Sequence, residues 1–178
     1  MRLAYADPPY LGCGKRYAEH HPNALDWDDP ERHRELIRTL SEFDSWAMSC
    51  SSTSLYTLLP MCPADARIAA WTKPFAVFKP HVNPAYTWEP VIFFGGRKGD
   101  RSRATVKDHL SHSITLKKGL VGAKPPAFAL WIFDLLGAEY GDEFHDLFPG
   151  TGVFGLMWQQ RFAAVDPRQT SLIPEVTR

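Results

Sequence analysis

The chain has 178 residues, 44% hydrophobic and 22% charged, with twenty Lys and Arg matched by twenty Asp and Glu. That size and balance describe one ordinary globular domain with a real core. A net charge of zero excludes a whole-molecule field that draws the protein to a polyanion, so any nucleic-acid contact must come from a local patch.

The cysteines, Cys13, Cys50 and Cys62, are odd in number and contain no C-x-x-C pair, which argues against a disulfide framework or a zinc site and for a reducing compartment. No apolar leader precedes Asp7, and the greasiest run, FALWIF before Asp134, is far too short to span a bilayer. A soluble, cytoplasmic protein with no membrane partner is expected.

In chain order, strand and helix signals alternate, which predicts an α/β fold with a largely parallel sheet and helices on its faces. A first strand covers 2–6. It stops at Asp7-Pro8-Pro9-Tyr10, because two prolines offer no N–H and fix φ, leaving a carboxylate and an aromatic ring on a stiff turn at a strand's carboxyl end. Open α/β sheets place their ligands there. The polar segment 11–28, with Tyr17 and Trp27, reads either as a lid or as a source of core aromatics.

Asp29-Pro30 opens a helix over 30–41 as cap plus first-turn proline. SWAMSCS reads as a buried strand, SLYTLLPM as a short helix, and ARIAAWT and EPVIFFGG as strands. Residues 97–124 carry the weakest pattern. A helix is predicted over 126–137, bounded by Pro126 and Gly137; EFHDLF follows as a strand, VFGLMWQQ as a helix and FAAVD as a last strand.

The second informative loop is DLFPGTGVFG, residues 146–155. Gly150 and Gly152 allow tight backbone geometry and close approach of a ligand, and the following helix offers N–H groups to a polar or anionic group. Gly150, Gly152 and Gly155 also satisfy G-x-G-x-x-G, with Asp166 about 20 residues beyond the strand end, where a ribose-binding acid belongs. Alone, this loop fits a dinucleotide site or a plain β–α turn. Likewise Asp7 alone could close an Asx turn, and Asp166 could be a turn acid before Pro167.

Together the two loops resemble the S-adenosylmethionine-dependent amino-methyltransferases of DNA, which carry D-P-P-Y/W/F and D-x-F-x-G-S/T-G. Here these stand as Asp7-Pro8-Pro9-Tyr10 and Asp146-Leu147-Phe148-Pro149-Gly150-Thr151-Gly152. Lys124-Pro125 resembles the family's Lys-Pro element and WEPVIFF its late strand. The catalytic loop first and cofactor loop last is the permuted order of the β subgroup. The resemblance covers residues 3–167. It implies a Rossmann-like methyltransferase fold with a mostly parallel central sheet, helices on both faces, circularly permuted motif order and truncation after the cofactor half. A nicotinamide dehydrogenase would leave DPPY unexplained and would need a second mononucleotide half.

The chemistry suits these residues. An exocyclic amine is a poor nucleophile, because its lone pair is delocalised into the ring. Two acceptors facing its N–H groups draw the nitrogen toward a pyramidal geometry, and the Asp7 carboxylate and Pro8 carbonyl can serve, held by Pro9 before reaction. Tyr10 would stack on a base swung out of the duplex. No metal is required, since the sulfonium methyl is already activated.

By resemblance, the cofactor S-adenosyl-L-methionine would be bound by Ala6, Asp7, Phe148, Gly150, Thr151 and Gly152. Asp146 would take its ammonium, Asp166 the ribose, and Lys124 and Pro125 would close the methionine side. The resemblance implies N6-adenine methylation of DNA, as in bacterial restriction-modification or phage modification. RNA, nucleotide and N4-cytosine targets stay open, as does a non-catalytic binding subunit.

Arg97, Lys98, Arg101, Arg103 and Lys107, with Lys117 and Lys118, form the basic concentration that could grip DNA phosphates; the alternative is a solvated loop. His20-His21 and His109/His112 read as surface histidines, since no suitably spaced carboxylate or thiol accompanies them. Residues 97–123 form a short variable loop where the family usually carries a target-recognition domain, so low intrinsic specificity is expected, with a homodimer or partner subunit as a route to target selection. The strand and loop that usually complete the adenine pocket are expected to be missing or reduced after Asp166.

Overall fold

The computed structural model describes residues 1–19, 23–76, 78, 80–99, 101, 103–115 and 123–163. Six strands form one sheet: β1 (Arg2–Ala6), β2 (Ser45–Ser49), β3 (Arg67–Thr72), β4 (Trp88–Gly95), β5 (His109–Ser111) and β6 (Glu143–Asp146). Their order across the sheet is β5-β3-β4-β2-β1-β6. The main helices are α1 (Pro30–Leu40), α2 (Leu55–Leu58), α3 (Pro126–Leu136) and α4 (Val153–Trp158), joined by short 3₁₀ turns.

Strand periodicity of two splits the core into two layers. Leu3 and Tyr5 of β1, Trp71 of β3 and Val91 and Phe93 of β4 face α3 and α4. Ala4, Ala6, Trp46, Met48 and Ile92 face the layer that holds α1 and α2. Coverage on both faces explains why every residue of β2 is buried.

The helix boundaries follow local chemistry. Asp29 Oδ1 accepts the Glu31 N–H at 3.0 Å with Pro30 in the first turn, and Leu36, Ile37 and Leu40 face the sheet. Gly137 ends α3 at φ 66°, its N–H donating to the Asp134 carbonyl.

β1 pairs in parallel with both β2 and β6, and β3 with β5, whereas β4 runs antiparallel to β2 and β3. Five strands therefore share one direction and β4 opposes them. The cause lies in the connection: among the described residues no helix separates β3 from β4, so there is no crossover with which to return in parallel.

Three further elements depart from the sequence pattern. β5 lies inside the segment read as a variable loop, held as β3's outer neighbour by pairs such as Trp71↔Leu110. Leu147 and Phe148 leave the strand, since β6 ends at Asp146. Phe162 and Ala163, expected in a last strand, instead continue α4 as a π-helical stretch over Gln159–Ala163; Phe162 packs against Phe133 and Trp158. The remainder of that expected strand, with Asp166, lies outside the described residues, as do Lys117, Lys118, His20 and His21. No helix among the described residues is long and apolar enough to cross a membrane.

Candidate active site

The two informative loops leave neighbouring strands. Tyr5 is the register partner of Asp146, and the Leu147 N–H donates to the Tyr5 carbonyl at 2.9 Å. The turn after β1 and the loop after β6 therefore start side by side at the carboxyl edge of the sheet. Between them lies a cleft of about 500 Å³ lined by Asp7, Pro8, Pro9 and Tyr10 on one side and Leu147 to Thr151 on the other. Tyr5 forms the floor, its ring stacked 4.1 Å from that of Phe154 and its hydroxyl 2.7 Å from Ser49 Oγ. Tyr17, from the segment after the prolines, also lines the cleft.

Gly150 and Gly152 adopt φ of 44° and 74°, a region that disfavours any residue with a Cβ. The Gly152 N–H donates to the Pro149 carbonyl at 2.6 Å, closing the loop just before α4. Asp146 Oδ1 accepts the Phe148 N–H at 3.2 Å, an Asx turn that starts the loop. Burial pushes the Asp146 carboxyl up to about 6 against the pull of that N–H, and the charge of Asp7 adds to the push.

The centre of the cleft is an ionic cluster. Lys124, 6% exposed at its side chain, sets Nζ 3.2 Å from Asp7 Oδ1, 3.1 Å from Glu89 Oε2 and 2.8 Å from the Tyr10 hydroxyl. The Tyr10 hydroxyl donates to Glu89 Oε2 at 2.9 Å and lies 3.3 Å from Asp7 Oδ1. Glu89 Oε1 also pairs with Lys73. The Lys124 ammonium lies 5.3 Å from the Trp71 ring centre and 5.6 Å from that of Phe128, so aromatic faces surround the charge.

Burial opposes every charge here, and pairing decides which survive. Burial works against the Glu89 carboxylate, but Lys124 and Lys73 hold it down to about 2. Lys124 is held well above its ordinary value, since the pull of Asp7 and Glu89 overcomes its burial. Asp7 moves upward, first through burial and then through repulsion from Glu89, although Lys124 draws it down. Tyr10 is likewise raised by burial and the two carboxylates, so its phenol stays protonated as a donor.

Lys124, which the resemblance puts at the methionine part of a cofactor, lines the same cleft as the glycine loop and turns its ammonium to Asp7 and Glu89. Pro125 caps α3, and Ala6 is fully buried in the layer below the cleft. Trp27 is not part of a lid: it is a core residue, edge-on to Phe148 and His33.

Arg97, a candidate nucleic-acid contact in the sequence, follows β4, whose antiparallel run of eight residues carries the chain about 20–25 Å from Glu89 to the opposite edge of the sheet. There it pairs with Asp142 at 2.5 and 2.8 Å, with Glu139 at 3.0 Å and with the Gly137 carbonyl at 2.7 Å. Arg103 pairs with the same Glu139, and the Lys107 carbonyl accepts the Trp131 indole N–H at 2.9 Å. Lys98, Arg101 and the Lys107 side chain are exposed.

Glu89 was the residue that sequence reasoning missed. Its segment read as an apolar strand, and only the reversed direction of β4 brings the strand's first acidic residue to the edge that carries Asp7. A carboxylate at the mouth of a buried strand was the available signal.

No family profile and no curated protein sequence matches the chain. Solved structures do match in fold. M1.HpyAVI in complex with SAM aligns with a TM-score of 0.52 at 17% identity, over 89% of this chain and 78% of that one. TTHA0409 of Thermus thermophilus, described as a candidate DNA modification methylase and solved with S-adenosyl-L-methionine, aligns with a TM-score of 0.52 at 17% identity over 89% of this chain and 76% of that one. The chain has the Rossmann-like fold of these methyltransferases, with a mixed, mostly parallel sheet.

Proposed function

We propose that this chain is an S-adenosylmethionine-dependent methyltransferase that modifies the N6 amine of adenine in DNA. The observation that carries the reading is the convergence of Asp7-Pro8-Pro9-Tyr10 and the glycine loop on one cleft at the sheet's carboxyl edge. The methyltransferase neighbours solved with this cofactor support it. The cofactor would supply an activated methyl on a sulfonium.

The residues present fit that group. Asp146, pushed up to about 6 by burial and by Asp7, gains from an added cation, which the cofactor's ammonium provides. Phe148, Gly150, Thr151 and Gly152 would line the cofactor's methionine part. The fixed turn would offer Asp7 and the Pro8 carbonyl to the two N–H groups of the substrate amine. The amine must shed one proton as the methyl bonds to nitrogen, and the upward push on Asp7 makes it a better acceptor than an ordinary carboxylate.

The test is transfer of labelled methyl to DNA, RNA and free nucleotides, with the product base identified by mass spectrometry. N6-methyladenine in DNA supports the reading. Label only in RNA, in nucleotides or on cytosine replaces it with the corresponding activity. No label in any acceptor, with cofactor bound, leaves a non-catalytic binding subunit.

A further inference from the structure

Resting on the reading just given, we infer that Glu89 is a positioning residue: it shares the Lys124 ammonium and anchors the Tyr10 hydroxyl, so that one oxygen of Asp7 stays free for the substrate amine. Both contacts to Asp7 fall on Oδ1, 3.2 Å from Lys124 Nζ and 3.3 Å from the Tyr10 hydroxyl. Oδ2 carries no hydrogen bond or ion pair to another described residue. The carboxylate is thus fixed by one oxygen and open at the other.

Glu89 makes that division stable. A buried ammonium demands a counter-charge, and leaving it with too little is costly. With two carboxylates at 3.1 and 3.2 Å, Lys124 is balanced without drawing both Asp7 oxygens to itself. Lys73 pairs with the other Glu89 oxygen and is tied to the residue just before β4 through its N–H to the Thr87 carbonyl at 2.7 Å. Glu89 therefore sits between two cations, one outer and one inner, and cannot swing away from Tyr10.

The groups facing Asp7 come from every element around it: Tyr5 of β1, Tyr10 of its own turn, Tyr17 of the following segment, Glu89 of β4 with Lys73 behind it, Lys124 before α3 and Asp146 of β6. Of the carboxylates, Glu89 is the one that shares both of Asp7's partners. Removing its charge deletes a repulsion that raises Asp7 and returns Lys124 wholly to Asp7. Both changes move Asp7 downward.

The experiment compares wild type, Glu89→Gln and Glu89→Asp by steady-state kinetics across pH, by cofactor binding, and by carboxyl-carbon NMR titration of Asp7. Glu89→Gln should lower kcat by about 10–100-fold, taking as guide the loss seen when an outer partner that orients a metal ligand is removed, with cofactor affinity unchanged. The acid limb of kcat/KM and the Asp7 titration should both move to lower pH. Glu89→Asp, which keeps the charge but shortens the reach to Tyr10, should leave the Asp7 titration near that of wild type while kcat still falls.

A Glu89→Gln enzyme with wild-type kcat, an unmoved Asp7 titration, or a loss confined to cofactor affinity would overturn the inference. The NMR arm needs no turnover. If wild type transfers no methyl, the functional reading fails by itself, and the Asp7 shift still decides the role of Glu89.

Discussion

At the scale of single residues, two acids at the cleft carry opposite demands. Asp7 would meet the reacting amine, so Asp7→Ala should lower turnover by about 10²–10³-fold, the range for deleting one electrostatic partner of a transition state. Cofactor affinity measured by calorimetry should change little; a variant with near wild-type turnover would remove Asp7 from the chemistry. Asp146 presents the reverse case. Its folded-state pKa of about 6 lies above the ordinary 3.8, so the folded protein holds this proton more tightly than the unfolded chain. Ionising Asp146 therefore costs stability, a cost that is absent below about pH 4 and complete above about pH 6. Asp146→Asn keeps an acceptor for the Phe148 N–H and removes the charge. It should raise Tm at pH 7.5 and leave it unchanged near pH 4, while weakening cofactor binding. Equal melting shifts at both pH values would show that burial of the charge is not the cause.

At the scale of elements, the loop after β6 depends on what lies beneath it. Phe154 opens the first turn of α4, stacks on Tyr5 at 4.1 Å and packs edge-on against Phe128 and Phe133. Phe154→Ala should cost about 3–5 kcal/mol in urea unfolding, the usual range for emptying a core aromatic site. A loss below about 1 kcal/mol would mean that the neighbouring rings collapse into the space. The sequence made most such elements legible, because their signals are local. Asp29-Pro30 and Pro126 with Gly137 punctuate helices wherever they occur, and the DPPY turn and the glycine loop announce a strand end by proline and glycine chemistry alone. β5 was not legible, since His109–Ser111 is three residues long and becomes a strand only by pairing with β3. The π-helical course of Phe162 was equally hidden, because aromatic residues that favour strands here find their partners in Phe133 and Trp158. The direction of β4 is the consequential case: a reversed strand looks like any other in sequence, yet it decides that Glu89 joins Asp7 and that Arg97 does not.

At the scale of the whole molecule, strand direction sorts the charges between two edges. The segment that follows β4, from Arg97 to Lys107, begins at the amino edge of the parallel strands, where Arg97 locks Asp142 and the Met1 ammonium bonds the same carboxylate at 2.6 Å. On the proposed function, a duplex presenting a base to the cleft would approach the other edge. Exposed Lys15 and Arg16 lie on that side, in the segment between Tyr10 and Tyr17, both of which line the cleft. With a net charge of zero, such local groups would have to supply any phosphate contacts. Each phosphate contact contributes about 0.9 to the slope of log K against log salt on duplex DNA. The double variant Lys15→Ala/Arg16→Ala should therefore flatten that slope by about 1–2, whereas the triple variant Lys98→Ala/Arg101→Ala/Lys107→Ala should leave it unchanged. Fluorescence anisotropy of a labelled duplex, titrated across salt concentrations, reads both slopes directly. A flattened slope in the triple variant with none in the double would place DNA on the amino edge and separate the binding face from the cleft that holds Asp7.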